Sequence, residues 1–140
     1  MSEAVVFKYN VDGENFTSAG EASVAIKKSL RQMGFPPDVI RKVSIAMYEG
    51  EINMVIHADG GEALVSVYPD KIEIVLADKG PGIADINLAM KEGYSTAPDN
   101  VRSLGFGAGM GLPNMKKYTD EMRIESTLGV GTTVYMTVKV

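Results

Sequence analysis

The chain has 140 residues, of which 45% are apolar and 23% charged, and its formal net charge at pH 7 is −4. This composition excludes disordered, collagen-like and coiled-coil classes and predicts one domain over residues 1–140. There is no cysteine and a single histidine, which excludes disulfides, thiol chemistry and multi-histidine metal sites. The acidic balance argues against general nucleic-acid binding.

The first half of the chain predicts one strand and two helices. The strand covers residues 4–9, the first helix ends near Gly34, and the second helix covers residues 36–58. Ser18 is the predicted cap of the first helix, with Glu21 completing a capping box. The Asp59-Gly60-Gly61 segment is predicted to end the second helix.

The second half is predicted to be mostly strands. These strands cover residues 63–68, 71–78, 121–127 and 132–140, and short helices cover residues 83–91 and 112–118. Helices come early and strands late, with few strict alternations. We therefore predict an α+β fold, a two-layer sandwich with helices on one face of a mixed, mostly antiparallel sheet.

Two polar residues of the long helix fall between its two apolar sectors. At about 100° per residue, Glu49 and Asn53 lie one turn apart on this inner side. A buried carboxylate costs free energy without a partner. We interpret Glu49 as a general base and Asn53 as an oxygen ligand for a hard cation; the alternative is an internal hydrogen-bonded pair that caps a loop. The residues predicted to point toward water are Arg41, Ser44, Tyr48 and Glu51.

The strand over residues 71–78 ends on an acidic residue. A period of two places Asp78 on the same face as three apolar residues that must face the core. One interpretation is a carboxylate at the floor of a pocket, accepting a hydrogen bond from a ligand amine. The alternative is an aspartate bonded to the next backbone amides in a turn.

Glycines cluster after the midpoint of the chain, and four of them alternate between Gly105 and Gly111 just before a predicted helix. Such a run permits close approach of the backbone to a ligand, and its amides favour phosphate. No register fits the dinucleotide-binding motif, and no Gly-Lys pair is present for a P-loop. The alternative is a flexible surface loop.

Four motifs occur in a fixed order: Glu49-x-x-x-Asn53, Asp78-x-Gly80-x-Gly82, Gly105-x-Gly107-x-Gly109-x-Gly111 and Gly129-x-Gly131-Thr132. Over about residues 36–140 the chain resembles the GHKL ATPases, the superfamily of gyrase, the Hsp90 chaperone, histidine kinases and the MutL repair protein. Its small size and two further stretches resemble the anti-sigma factor and switch-protein serine/threonine kinases, most closely the stressosome switch kinase type. These stretches are Glu92-Gly93-Tyr94-Ser95-Thr96 and Leu112-Pro113-Asn114-Met115-Lys116-Lys117.

This resemblance implies the Bergerat ATP-binding fold and a role for each matching residue. Glu49 would deprotonate the attacking hydroxyl, Asn53 would coordinate Mg²⁺, and Asp78 would accept from the adenine amine. Residues 94–109 would form a lid over ATP. The other implied ATP-binding residues are Gly80, Gly82, Tyr94, Ser95, Thr96, Arg102, Gly105, Gly107, Ala108, Gly109, Met110, Gly111, Leu112 and Thr132.

The implied function is an ATP-dependent serine/threonine protein kinase that uses Mg²⁺ and phosphorylates a STAS-domain anti-sigma antagonist in a bacterial partner-switching pathway. A sigma factor and a PP2C-type phosphatase are further implied partners, and a homodimer is compatible. One alternative is an ATP-binding regulator without phosphotransfer; another is a histidine-kinase-like ATPase domain acting in trans. With no apolar run of about 18 residues and no signal-peptide pattern, we expect a cytoplasmic location and no membrane partner.

Overall fold

In the part of the chain that the structure describes, five antiparallel strands form one open sheet in the order β1-β2-β3-β5-β4. The computed structural model describes residues 4–12, 20–57, 60–80 and 111–140. The strands are β1 (Val5–Asp12), β2 (Gly60–Val67), β3 (Lys71–Ala77), β4 (Glu121–Thr127) and β5 (Gly131–Lys139). All four pairings among these strands are antiparallel, in keeping with the predicted sheet.

Three described helices cover one face of this sheet: α1 (Glu21–Gln32), α2 (Pro37–His57) and α3 (Gly111–Lys117). The long helix α2 contacts both α1 and α3. The α+β prediction is therefore confirmed. None of the helices in the described ranges is long and apolar enough to cross a membrane.

The core is built on the central strands β3 and β5, whose buried residues alternate and pair across the sheet. Ile72, Ile74 and Leu76 lie opposite Val138, Met136 and Val134 in that order, and all six side chains are buried. Burial of each such side chain contributes roughly 1.5–3 kcal/mol. This alternation continues to the end of β3 at Ala77. The packing of the strand therefore determines where the backbone of the next residue, Asp78, lies.

Gly50 lets α2 approach β3 closely. A Cβ atom at this position would collide with the side chain of Leu76. A glycine inside a helix costs up to about 1 kcal/mol relative to alanine. The close contact gives a packing reason for this glycine and sets how deep α2 lies on the sheet.

Two predicted boundaries are wrong. The first strand does not end at Tyr9 but continues to Asp12, because Asn10 and the two residues after it pair with the start of β2. The helix α2 ends at His57, beside its predicted end, but β2 begins at Gly60 and not at Ala63. A Cβ at Gly61 would meet the carbonyl oxygen of Ala77, so this glycine permits close packing. The predicted helix over residues 83–91 lies outside the described residues.

The amino terminus of α1 is held by α2, which corrects two predictions. The N-cap residue is Gly20, with φ of 100°, and no side chain of the usual capping type bonds there. Instead Glu51, predicted to face water, is only 1% exposed. Its carboxylate accepts hydrogen bonds from the backbone amides of Gly20 (2.8 Å), Ala22 (3.2 Å) and Ser23 (2.7 Å). These amides have no partner within the helix, so a distant carboxylate serves as the cap.

Candidate functional site

Glu49 and Asn53 lie one turn apart on α2, and both are half-buried. The side-chain Nδ2 of Asn114, on α3, donates to Oε1 of Glu49 over 3.5 Å. Burial raises the pKa of the Glu49 carboxyl, and the hydrogen bond from Asn114 partly opposes this increase. A carboxylate whose pKa is raised in this way is a stronger base than an exposed glutamate.

Asp78 follows β3 and is tied to the start of β5. Its backbone amide donates to the carbonyl of Thr132 (2.9 Å), and its Oδ1 accepts from the amides of Gly80 (2.9 Å) and Thr132 (3.1 Å). The turn interpretation is therefore correct for Oδ1. No described residue donates to Oδ2, so this oxygen is the atom of Asp78 that remains for a ligand amine.

Glycines allow the backbone to close around Asp78. A Cβ at Gly131, where φ is 149°, would meet the carbonyl oxygen of Asp78. A Cβ at Gly61 would lie 3.1 Å from Cα of Asp78 and 2.7 Å from Sδ of Met54. Met54 is the neighbour of Asn53 on α2, so the end of β3 lies close to the segment of α2 that carries Asn53.

Thr132 is buried beside this aspartate. Its hydroxyl shares a hydrogen bond of 2.9 Å with the hydroxyl of Ser126 on β4. The structure thus joins Asp78, Gly80 and Thr132 in one hydrogen-bonded group. A water-mediated role of Thr132 toward adenine stays a prediction.

The remaining predicted nucleotide-binding residues divide into two sets. Gly111 begins α3, and Leu112 is half-buried and packs against the core. The others lie outside the described residues, and their predicted roles stay predictions: Gly82, Tyr94, Ser95, Thr96, Arg102, Gly105, Gly107, Ala108, Gly109 and Met110.

The described residues contain no group of three or more histidine, cysteine, aspartate or glutamate side chains that could hold a metal ion. Asn53 offers one neutral hard oxygen. A single protein oxygen fits Mg²⁺, which takes most of its ligands from water and substrate phosphates, and does not fit a fully protein-ligated ion.

Sequence reasoning missed two residues of this region. Asn114 was noted only as part of the stretch 112–117 that resembles the switch kinases. The sequence of this short helix gives no indication that Asn114 contacts Glu49. Glu51 did leave a signal, because the residues four positions before and after it, Met47 and Val55, are both apolar, and both are buried in the structure. Their shared face predicts burial of Glu51.

The described sheet and helices match a GHKL-like ATPase fold, with Glu49 and Asn53 on its long helix and Asp78 after β3. The chain belongs to the family of histidine kinase-like ATPase domains, which it matches over residues 15–138.

Similar proteins include both types that the motifs resemble. The chain is 33% identical over 121 residues to the anti-sigma F factor of Clostridium novyi, covering 82% of this chain and 81% of that protein. It is 30% identical over 108 residues to the serine/threonine-protein kinase RsbT of Bacillus subtilis, covering 74% and 75%.

A solved structure shares the fold. It contains the RsbU and RsbW domains of Rv1364c from Mycobacterium tuberculosis, with a TM-score of 0.66 and 16% sequence identity. The match covers 96% of this chain and 32% of that longer one. At this identity the likeness concerns the fold alone.

Proposed function

We propose that this chain is an ATP-dependent serine/threonine protein kinase of the anti-sigma and switch-kinase type. Its substrate is a serine or threonine of a STAS-domain antagonist in a bacterial partner-switching pathway. The observation that carries the proposal is the half-buried Glu49, which lies one turn from Asn53 and keeps one carboxylate oxygen without a donor among the described residues. Nucleotide binding alone gives a general base no role, whereas transfer to a hydroxyl is accelerated by one. Relatives named as an anti-sigma factor and as a serine/threonine kinase support the same class.

Nucleotide binding is assigned to the group around Asp78. Its Oδ2 is the proposed acceptor for the adenine amine, while Oδ1 is held by the amides of Gly80 and Thr132. Asn53 is the proposed protein ligand of Mg²⁺. When bound, this ion neutralises phosphate charge and orients the phosphate oxygens. The glycine run and Arg102 remain proposed phosphate contacts on the strength of the motif order.

The proposed step is a direct phosphoryl transfer with Glu49 as general base. The substrate hydroxyl gives its proton to the Glu49 carboxylate while its oxygen forms a bond to the γ-phosphorus. The bond between the γ-phosphorus and the bridging oxygen breaks, and ADP leaves with that electron pair. Positioning and charge stabilisation supply most of the rate in reactions of this kind.

The test is transfer of labelled phosphate from ATP to a candidate STAS protein by the wild type and Glu49→Ala. The matched control is Glu62→Ala, which removes an exposed glutamate on the other face of the sheet. We expect Glu49→Ala to reduce the rate at least about 100-fold, with ATP affinity retained, and Glu62→Ala to leave the rate unchanged.

Other results of this test would favour the alternatives. Equal transfer by Glu49→Ala would remove the base assignment. ATP binding by the wild type without transfer would indicate a regulatory nucleotide-binding module, and an acid-labile phosphoprotein would indicate histidine phosphorylation.

The further partners of the proposal are a sigma factor and a PP2C-type phosphatase, with a homodimer as a compatible assembly. The naming of relatives as anti-sigma factors supports the first of these. Action on such partners requires the chain in the cytoplasm, where transcription takes place.

A further inference from the structure

The short helix α3 has a fixed position against α2. Met115 is buried in the core with 1% of its side chain exposed. Three residues further on, the ring of Tyr118 lies 5.5 Å from the guanidinium carbon of Arg41, on α2. The burial of Met115 and the cation–π contact just beyond the end of α3 tie this short helix to α2.

Asn114 is the α3 residue that reaches Glu49. An ionised carboxylate only accepts hydrogen bonds, so the amide group of Asn114, and not its carbonyl oxygen, must face Oε1. The separation of 3.5 Å is at the long end for a hydrogen bond. Contacts of this kind often shorten when substrate binds.

The two oxygens of the Glu49 carboxylate are therefore not equivalent. Oε1 receives the amide of Asn114, whereas Oε2 accepts no hydrogen bond from any residue in the described ranges. A glutamate side chain has three rotatable bonds, and a donor on one oxygen limits its rotation while the other oxygen stays without a donor among the described residues.

We propose that Asn114 is a positioning residue for Glu49, whose amide fixes Oε1 and leaves Oε2 as the oxygen that takes the substrate proton. The proton transfer in this inference rests on the proposed function, whereas the contact between Asn114 and Glu49 is independent of it. Asn114 acts through Glu49 and is assigned no contact with ATP.

The kinetic test compares Asn114→Ala, Asn114→Asp and the control Lys116→Ala, which changes an exposed residue of the same helix. We expect Asn114→Ala to lower kcat about 10-fold or more, with KM for ATP within about twofold. Removing the donor also takes away the contact that lowers the pKa of Glu49. The acidic limb of the kcat profile therefore moves to higher pH.

Asn114→Asp separates hydrogen bonding from packing. Aspartate has nearly the same shape as asparagine but places a second carboxylate beside Glu49, which raises the pKa of Glu49 further. We expect a larger shift of the acidic limb than with alanine. If Asn114 only filled space, aspartate would be better tolerated than alanine, and that order would overturn the proposal.

A titration of the Glu49 carboxyl carbon by NMR in the chain without nucleotide tests the contact independently of kinase activity. Among the described residues, the causes of its shifted pKa are burial and Asn114, so the midpoint is expected to rise in Asn114→Ala. An unchanged midpoint would overturn the inference even if phosphotransfer occurs. Absence of transfer by the wild type, with the midpoint shifted, would instead count against the proposed function and the proton transfer while leaving the contact in place.

Discussion

Glu49 and Glu51 lie two residues apart on α2 and point to opposite sides of it. Glu51 is fully buried, and three backbone amides surround its carboxylate at 2.7–3.2 Å. Glu49 is half-buried and accepts one long hydrogen bond, from Asn114. Burial raises the pKa of both carboxyls, while hydrogen bonds lower it in part.

A raised pKa therefore does not distinguish a structural carboxylate from a reactive one. The distinction lies in how many of its acceptor positions are occupied. Glu51 uses both oxygens on backbone amides that otherwise lack partners, whereas Glu49 keeps one oxygen without a donor among the described residues. The first arrangement stabilises the junction of two helices, and the second is suited to proton transfer.

The largest effect on stability is expected for Glu51→Ala. This change leaves the amides of Gly20, Ala22 and Ser23 buried without partners at the start of α1. We expect a loss of roughly 2–4 kcal/mol in the free energy of unfolding, measured by urea denaturation.

The control for this experiment is Glu62→Ala. Glu62 pairs with Lys8 at 3.4 Å, but both side chains are more than half exposed, so its removal is expected to cost less than about 1 kcal/mol. Similar losses for the two variants would show that the carboxylate of Glu51 does not cap α1, and the contrast with Glu49 would fail.

An intermediate effect is expected for Gly50→Ala, between the two glutamates. Alanine is favoured in a helix by up to about 1 kcal/mol, but its Cβ would collide with buried Leu76. Overpacking of this kind costs roughly 1–3 kcal/mol, so we expect a net loss of about 1 kcal/mol in urea unfolding. In the double variant Gly50→Ala, Leu76→Val, the loss should be smaller than the sum of the two single losses. Strict additivity would contradict the proposed collision.

Residues whose neighbours are close in sequence were predicted well. Ile72, Ile74 and Leu76 alternate on β3 as predicted, and the predicted end of the strand at Asp78 is one residue beyond the observed end at Ala77. The spacing of Glu49 and Asn53 on one helix likewise places both on one side of α2. In each case the geometry of a single strand or helix determines which side chains share a face.

Contacts between distant segments were not predicted. Glu51 meets residues about 30 positions earlier, and Asn114 meets a residue 65 positions earlier. Local sequence preference places the cap of α1 at Ser18, because it considers only neighbouring residues. The group that caps α1 is the carboxylate of Glu51, which comes from another helix. Position 61 likewise requires glycine for a reason that lies far away in the sequence. A Cβ atom there would collide with Ala77 and Met54, which belong to other elements.

The smallest effect is expected in the pH dependence of stability at Glu49. Its pKa in the folded chain is raised, so the folded state binds a proton more readily than the unfolded state does. Wild-type stability from this group is therefore present below about pH 4 and is lost as pH rises through the raised pKa. Glu49→Gln carries no such proton, so its free energy of unfolding relative to wild type should increase over that range and then level off.

Urea unfolding between about pH 4 and pH 7, with Glu62→Gln as the control for replacing a glutamate, measures this. A relative stability that falls with pH would mean that contacts stabilise the charged form of Glu49 and that its pKa in the folded chain is lowered, not raised.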